Sequence, residues 1–164
     1  MSVRVERLGP DEATRFRRLR LAALQADPDA FYRTHAEEVG HPDAYWEGWL
    51  ARQDAPVLVP VLDGRDVGLA GLVPDRHAEG ELAVVAFWVA PTARGRGVGR
   101  ALLDDLEQRA RAAGAAAMTL EVADANDAAV RLYAAAGFEP TGHTGRFGAP
   151  REHVTEHERR KVLA

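Results

Sequence analysis

A glycine-rich turn between two apolar segments constrains the fold of this chain more than any other feature. Three glycines lie at alternate positions between Arg94 and Leu103, and glycine lets backbone N–H groups approach a ligand without steric conflict. A dense apolar run at residues 82–89 precedes the turn, which predicts a strand, and helical periodicity follows it. The helical stripe consists of Val98, Leu102, Leu106, Ala110 and Ala113, with Gly114 as its predicted end. Because free amides and the helix dipole converge at such a helix N-terminus, the sequence predicts a pyrophosphate site.

The spacing of the glycines distinguishes between phosphate-binding motifs. A P-loop needs four residues between its glycines and then Lys-Ser/Thr, and the dinucleotide fingerprint needs a third glycine where this chain has Arg100 or Leu102. The pattern that fits is Arg-x-x-Gly-x-Gly, formed by Arg94, Gly97 and Gly99. It resembles the acetyl-CoA signature of the GNAT superfamily of N-acetyltransferases. Taken alone, the motif also suits a tight strand-to-helix turn that binds no ligand.

A second motif downstream strengthens the resemblance. Residues 118–122 predict a short strand, Asn126 is a predicted helix cap, and apolar residues then recur at helical spacing as far as Gly137. The matching residues of the superfamily pattern are Leu120, Val122, Asn126, Ala129, Leu132, Tyr133, Gly137 and Phe138. The resemblance is specific over residues 82–142 and general elsewhere.

The resemblance and the order of the predicted elements imply the same fold. We expect an α/β protein with the GNAT (acyl-CoA N-acyltransferase) fold: a mixed central sheet of about seven strands, helices on both faces, and one domain over residues 1–164. The predicted strands are residues 3–8, 57–62, 67–73, 82–89, 118–122, 138–143 and 153–163. Helices are expected at residues 11–26, 32–39 and 42–52, after the glycine turn and after Asn126.

The resemblance also assigns residues to acetyl-CoA, the implied co-substrate. The strand before the glycine turn would splay from its neighbour, and its free backbone groups would pair with the pantetheine arm. The Val89 N–H would then stabilise the oxyanion that forms on the thioester carbonyl. The expected cofactor-binding residues are Phe87, Trp88, Val89, Arg94, Gly95, Arg96, Gly97, Val98, Gly99, Arg100, Asn126 and Tyr133. The side chains of Phe87 and Trp88 would fill the core in either case.

Two residues are candidates for proton transfer. Tyr133 would donate a proton to the departing thiolate, although a tyrosine on an amphipathic helix also suits the core. Glu121 would accept the proton of the amine, since burial on its strand face would raise its pKa, and its spacing to Tyr133 resembles that in ribosomal-protein N-terminal acetyltransferases. A purely structural glutamate fits the same position, and Glu81 is the reserve candidate, acting through water.

The implied reaction is acetyl transfer from acetyl-CoA to a primary amine of a small molecule, an amino acid or a peptide N-terminus, by direct attack in a ternary complex. Residues 27–32 and 143–150 would hold the acceptor. Asp29, Phe31 and Tyr32 favour a cationic acceptor, whereas Arg33 and Arg146 favour an anionic one. The alternative is a catalytically silent sensor of the same fold that binds acyl-CoA.

Composition excludes several other classes of function. The net charge of −4 argues against nucleic-acid binding, and the 164 residues contain no apolar stretch long enough to span a membrane. The absence of cysteine and of a signal-like N-terminus leads us to expect a cytoplasmic protein, with homodimerisation left open. His153 to His157 matches the zinc-protease pattern His-x-x-Glu-His, but these residues suit a final strand better than a helix, so no metal site is expected.

Overall fold

A mixed sheet of eight strands forms the centre of the computed structural model, which describes residues 2–163. The strands are β1 (Val3–Arg7), β2 (Val57–Leu62), β3 (Arg65–Asp66), β4 (Gly68–Pro74), β5 (Leu82–Val89), β6 (Ala117–Ala123), β7 (Glu139–Arg146) and β8 (Thr155–Val162). Their order is β1-β2-β4-β5-β6-β8-β7, with the two-residue β3 beside β2. Neighbours are antiparallel except β5 and β6, which run parallel. The short β3 accounts for the one strand more than the sequence predicts.

Helices cover both faces of this sheet, as predicted. They are α1 (Ala13–Ala26), α2 (His35–Glu38), α3 (Asp43–Leu50), α4 (Val98–Ala112) and α5 (Asp127–Ala135). On one face α4 and α5 bury Leu102, Leu106 and Tyr133 against the sheet. On the other face α1 and α3 pack Phe16 and Trp46 edge to face, with ring centroids 5.3 Å apart. None of the described helices is long and apolar enough to cross a membrane.

Two details of the predicted elements differ in the structure. Leu103 is buried on α4, whereas Ala113 lies exposed just beyond the end of the helix. At about 100° per residue Leu103 lies within about 20° of Ala110 on the helix surface, so it belongs to the same buried face. Ala113 is exposed because α4 ends at Ala112. Strand β7 continues through Gly142 to Arg146, because Gly142 adopts φ of +92° where the register with β8 shifts. The strand therefore extends three residues beyond its predicted end at residue 143.

A gap between β5 and β6 positions the functional site. The two strands pair only at Leu82 with Met118 and at Ala83 with Thr119. Beyond that point Ala86, at φ of +56°, forms a bulge in the pairing of β5 with β4. A bulge bends its strand, and here β5 diverges from β6 after it. The predicted splay before the glycine turn is therefore confirmed.

Candidate active site

Two cavities meet at the gap between β5 and β6. The first, the glycine-turn groove, has a volume of about 670 Å³ and runs from the turn to α5. The second, the acidic cavity, has a volume of about 610 Å³ and is lined by Glu121, Glu156 and Glu158. Residues that line both cavities are Ala30, Phe87, Ala123, Asn126, Ala129 and Tyr133. A molecule in one cavity can therefore reach a molecule in the other at Tyr133.

The glycines of the turn have two different structural roles. Gly95 and Gly97 adopt φ of +73° and +81°, in the left-handed region that glycine favours. Gly97 is the N-cap of α4, whose first backbone hydrogen bond joins Ala101 N to Gly97 O. The N–H groups that precede this bond have no acceptor within the helix. Gly99 has a helical backbone, and a Cβ there would lie 3.1 Å from Leu132 Cδ2. Gly99 thus allows α4 and α5 to approach closely.

The three arginines of the turn all have acidic neighbours. Arg94 Nη2 lies 2.6 Å from Asp27 Oδ2, and its Nε donates to the Val89 carbonyl at 2.9 Å. Arg100 Nε lies 3.0 Å from Asp104 Oδ1, and Arg96 Nη2 lies 3.7 Å from Asp63 Oδ2. Arg94 therefore braces the turn against the end of α1, which is a role beyond the positive charge that the sequence predicts. Arg94 and Arg100 line the groove.

Asp27 connects three elements at the mouth of the groove. Its Oδ2 accepts a hydrogen bond from the buried Trp88 Nε1 at 2.8 Å as well as the bond from Arg94. The carboxylate lies just beyond α1, so it ties that helix to β5 and to the glycine turn. The pattern of the sequence gives no signal for this contact, because the partners are 61 and 67 positions apart.

Asp27→Ala is expected to lower the free energy of unfolding by about 1–3 kcal/mol, because the buried Trp88 N–H then has no acceptor. Urea denaturation measures the change. The matched control is Asp29→Ala, since Asp29 is exposed and pairs with the exposed His153. That variant is expected to change stability by less than about 0.5 kcal/mol. Equal stability of Asp27→Ala and Asp29→Ala would contradict the bracing role of Asp27.

The backbone of β5 presents donors to the gap. Ala90 N donates to Val67 O at 2.8 Å, on the side of β4. Because consecutive N–H groups of a strand point to opposite sides, the N–H groups of Phe87 and Val89 point away from β4 toward the gap. The side chain of Trp88 is buried, and that of Phe87 packs against the Tyr133 ring at 5.5 Å. These side chains thus pack in or against the core, as expected, while the backbone N–H groups of the strand face the gap.

Tyr133 and Asn126 stand where the two cavities join. Tyr133 is buried, and its ring contacts those of Phe87 and Phe138 at 5.5 and 6.0 Å. Burial raises the pKa of Tyr133 above its ordinary value, so the phenol keeps its proton in neutral solution. The Asn126 side chain accepts a hydrogen bond from Ala129 N at 3.3 Å, which confirms the predicted helix cap.

The carboxyl group with the raised pKa is not the one that the sequence predicts. Glu121 lines the acidic cavity but is exposed, so the expectation that it is buried is wrong. Its neighbour Glu156 is half-buried on β8, with Glu121 beside it on β6. Burial first, and then the charge of Glu121, raise the pKa of Glu156 to about 7. The sequence predicts that Glu156 lies on the final strand and gives no signal for a catalytic role, although Glu156 belongs to the His-x-x-Glu-His pattern.

Glu81, the reserve proton acceptor, is part of an ion pair. Arg160 Nε and Nη2 donate to its two carboxylate oxygens, each at 2.9 Å. These hydrogen bonds hold the pKa of Glu81 below its usual value. Glu81 lines neither cavity. The structure therefore gives no support to a proton-accepting role for Glu81.

The acceptor loops differ in part from the expectation. Phe31, Tyr32 and Arg33 line the acidic cavity, whereas Arg146 and Phe147 line neither cavity. Phe147 is instead buried against Tyr32, with ring centroids 5.7 Å apart. The loop between β7 and β8 contacts the segment after α1 through Arg151, whose guanidinium donates to three backbone carbonyls of that segment. They are Phe31 O and Tyr32 O, both at 2.6 Å, and Pro28 O at 3.0 Å.

The zinc-protease pattern lies on a loop and a strand. His153 pairs with Asp29 and His157 pairs with Asp124, so the two imidazoles have separate partners. Residues 155–157 of the pattern belong to β8 rather than to a helix. Over residues 2–163, no three His, Cys, Asp or Glu side chains form a group that could hold a metal ion.

Comparison with known proteins assigns the family. The model of the Acetyltransferase (GNAT) family matches residues 20–138. This chain belongs to the GNAT family. The expected fold is thereby confirmed, and acetyl-CoA, the expected co-substrate, is the co-substrate of this family.

Individual relatives cover different shares of the GNAT chain. An IAA acetyltransferase of Azospirillum brasilense is 37% identical over 99 residues, which are 60% of this chain and 64% of that protein. The aminoglycoside N(6')-acetyltransferase type 1 of Klebsiella aerogenes is 30% identical over 128 residues, 75% of this chain and 82% of that protein. An acetyltransferase structure from Salmonella typhimurium with its cofactor acetyl-CoA agrees in fold, with a TM-score of 0.81 and 21% identity over 100% of this chain and 95% of that one.

Proposed function

We propose that this GNAT protein transfers the acetyl group of acetyl-CoA to a primary amine that binds in the acidic cavity. The observation that carries the proposal is the meeting of the two cavities at the gap between β5 and β6, beside Tyr133. Acetyl-CoA would occupy the glycine-turn groove, with its pyrophosphate at the free amides of Gly97, Val98, Gly99 and Arg100. Its pantetheine arm would lie along Phe87, Trp88 and Val89.

The proposed step is direct attack of the amine on the thioester carbonyl. The Val89 N–H, directed into the gap, would stabilise the oxyanion. Tyr133 would protonate the CoA thiolate as the carbon–sulfur bond breaks. Asn126 would hold the pantetheine arm as well as capping α5. A primary amine has a pKa of about 10.4 and is mostly protonated at neutral pH, so a carboxylate of the acidic cavity, Glu121 in the sequence analysis, would accept its proton.

The charges of the acidic cavity favour a cationic acceptor. The wall of the cavity formed by β6 and β8 carries three carboxyl groups, those of Glu121, Glu156 and Glu158. Ala123 on the same wall also lines the glycine-turn groove. The cationic side chains Arg20 and Arg33 come from α1 and the following loop, and Arg76 comes, together with the acidic Asp75, from the segment after β4. We therefore propose that the reacting ammonium faces the carboxylates. A small-molecule amine, an amino acid or a peptide N-terminus would satisfy this arrangement.

The test is a panel of amines scored by release of CoA from acetyl-CoA. The panel contains a diamine, an amino acid and its amide, a short peptide, an aminoglycoside and, as the contrasting member, an amine with two acidic groups. We expect release of CoA with at least one cationic amine and a lower kcat/KM for the doubly acidic one. Binding of acetyl-CoA without CoA release from any acceptor would favour the sensor alternative. Turnover of the acidic amine alone would contradict the proposed acceptor class.

A further inference from the structure

We propose that Glu156, rather than Glu121, accepts the proton of the acceptor amine, and that Glu121 is a positioning residue for it. This inference rests on the acetyl transfer proposed above. It assigns a catalytic role to the strand β8, which follows the last residue that the family model matches, Phe138.

The pairing of β6 with β8 places Glu156 closer than Glu121 to the junction of the cavities, where the thioester is proposed to lie. Glu156 on β8 lies opposite Ala123 on β6. Glu121, two residues before Ala123, lies opposite Glu158, two residues after Glu156. Ala123 lines both cavities, and Thr155, the residue before Glu156, lines the glycine-turn groove. Glu156, which lines the acidic cavity, therefore lies next to the junction of the two cavities, whereas Glu121 lies farther from it. An amine that attacks at the junction meets Glu156 first.

The surroundings of Glu156 make its carboxylate a better proton acceptor than an ordinary glutamate. Glu156 is half-buried, Glu121 lies beside it on β6, and the cation of Arg151 acts on it from the loop between β7 and β8. Burial and the negative charge of Glu121 outweigh Arg151 and bring the pKa of Glu156 to about 7. A general base is most effective when its pKa lies near the working pH. The other ionisable groups that line the cavity are Glu158 on β8, Tyr133 on α5, Asp75, Arg76 and His77 after β4, Arg20 on α1, and Tyr32 and Arg33 after it.

The proton balance of the reaction is complete with these groups. One N–H bond of the ammonium breaks as its proton passes to the Glu156 carboxylate, which later releases it to solvent. The amine nitrogen then forms a bond to the carbonyl carbon. When the carbon–sulfur bond breaks, the thiolate takes the Tyr133 phenol proton. The second proton of the nitrogen restores the phenol, so the products are the amide, free CoA and one proton.

The test compares the pH dependence of kcat/KM in Glu156→Gln and Glu121→Gln with an amine accepted by the wild type. In the wild type, activity is expected to rise with pH through a group that titrates near 7, because only the deprotonated Glu156 accepts a proton. Glu156→Gln is expected to lower kcat/KM at neutral pH by about 10²–10⁴-fold and to lose this rise. Only the increase due to ionisation of the amine then remains. Glu121→Gln is expected to keep the rise but to shift it to lower pH, since the neighbouring negative charge is removed.

Three measurements secure the interpretation. Glu156→Asp, a shorter carboxylate, is expected to keep the rise near neutral pH with a lower kcat. Glu152→Gln removes a charge from an exposed residue that lines neither cavity, and it is expected to keep the wild-type profile. Acetyl-CoA is expected to raise the Tm of Glu156→Gln as it does for the wild type, which shows that the variant is folded. If it does not, the pH profiles of Glu156→Asp and Glu121→Gln test the inference. Loss of the rise in Glu121→Gln, or its retention in Glu156→Gln, overturns the inference. Absence of turnover with every amine overturns the proposed function instead.

Discussion

Replacement of Gly97 by valine is expected to abolish the stabilisation of this protein by acetyl-CoA. For the wild type, acetyl-CoA at about 100 times its Kd is expected to add about 2.7 kcal/mol to the free energy of unfolding, seen as a higher Tm. Gly97 has φ of +81° and occupies the N-cap position of α4, beside the free amides of its first turn. A β-branched residue disfavours this backbone conformation, and its side chain would occupy the space in which the pyrophosphate is proposed to bind. The Tm with and without acetyl-CoA measures the loss.

The control for Gly97→Val is the same substitution at Gly114. Gly114 has φ of +78°, close to that of Gly97, and a Cβ added at either glycine would meet no atom within 4 Å. Gly114 lines neither cavity. Gly114→Val therefore reproduces the backbone strain, about 1–3 kcal/mol, but is expected to keep the full acetyl-CoA shift. An equal shift in both variants would show that acetyl-CoA binding does not depend on the turn.

Tyr133→Phe is expected to lower kcat by about 10²–10⁴-fold while fold and acetyl-CoA binding persist, because only the proton donor is removed. The ring contacts with Phe87 and Phe138 remain available to phenylalanine. Since burial raises the pKa of Tyr133, the protonated phenol persists to a higher pH than in a free tyrosine. The wild type is therefore expected to keep its activity at alkaline pH rather than lose it through Tyr133. Steady-state kinetics across pH measures both effects.

Tyr45→Phe is the matched control for this substitution. It removes the same hydroxyl group from a half-buried tyrosine that lines neither cavity. We expect kcat to stay at the wild-type value in Tyr45→Phe. An unchanged kcat in Tyr133→Phe as well would assign Tyr133 to the core alone, which is the alternative that the sequence analysis left open.

Local sequence determines much of this fold. Apolar periodicity predicts α4 and α5. Glycine occurs at residues 97, 114 and 137 because the backbone is left-handed at these helix ends. The cap at Asn126 is equally local, since its acceptor bond spans three residues. Such features depend on neighbours along the chain, and a sequence displays those neighbours directly. The order of strand, glycine turn and helix predicts a phosphate site, and together with the downstream motif from Leu120 to Phe138 it predicts the family fold.

Tertiary structure alone decides the chemistry of the acidic cavity. Glu156 and Glu121 are 35 positions apart in the sequence, and the register of β6 with β8 brings them side by side. The same pairing leaves Glu156 half-buried and Glu121 exposed. Long-range contacts likewise turn Arg94 toward Asp27 and place Arg151 on the carbonyls of residues 28–32. A pKa and a hydrogen bond depend on solvent exposure and on distance between side chains. Solvent exposure and the distances between side chains are fixed only when the strands have paired. The sequence therefore predicts the family and the cofactor site, whereas the pairing of the strands determines which carboxyl group we propose as the proton acceptor.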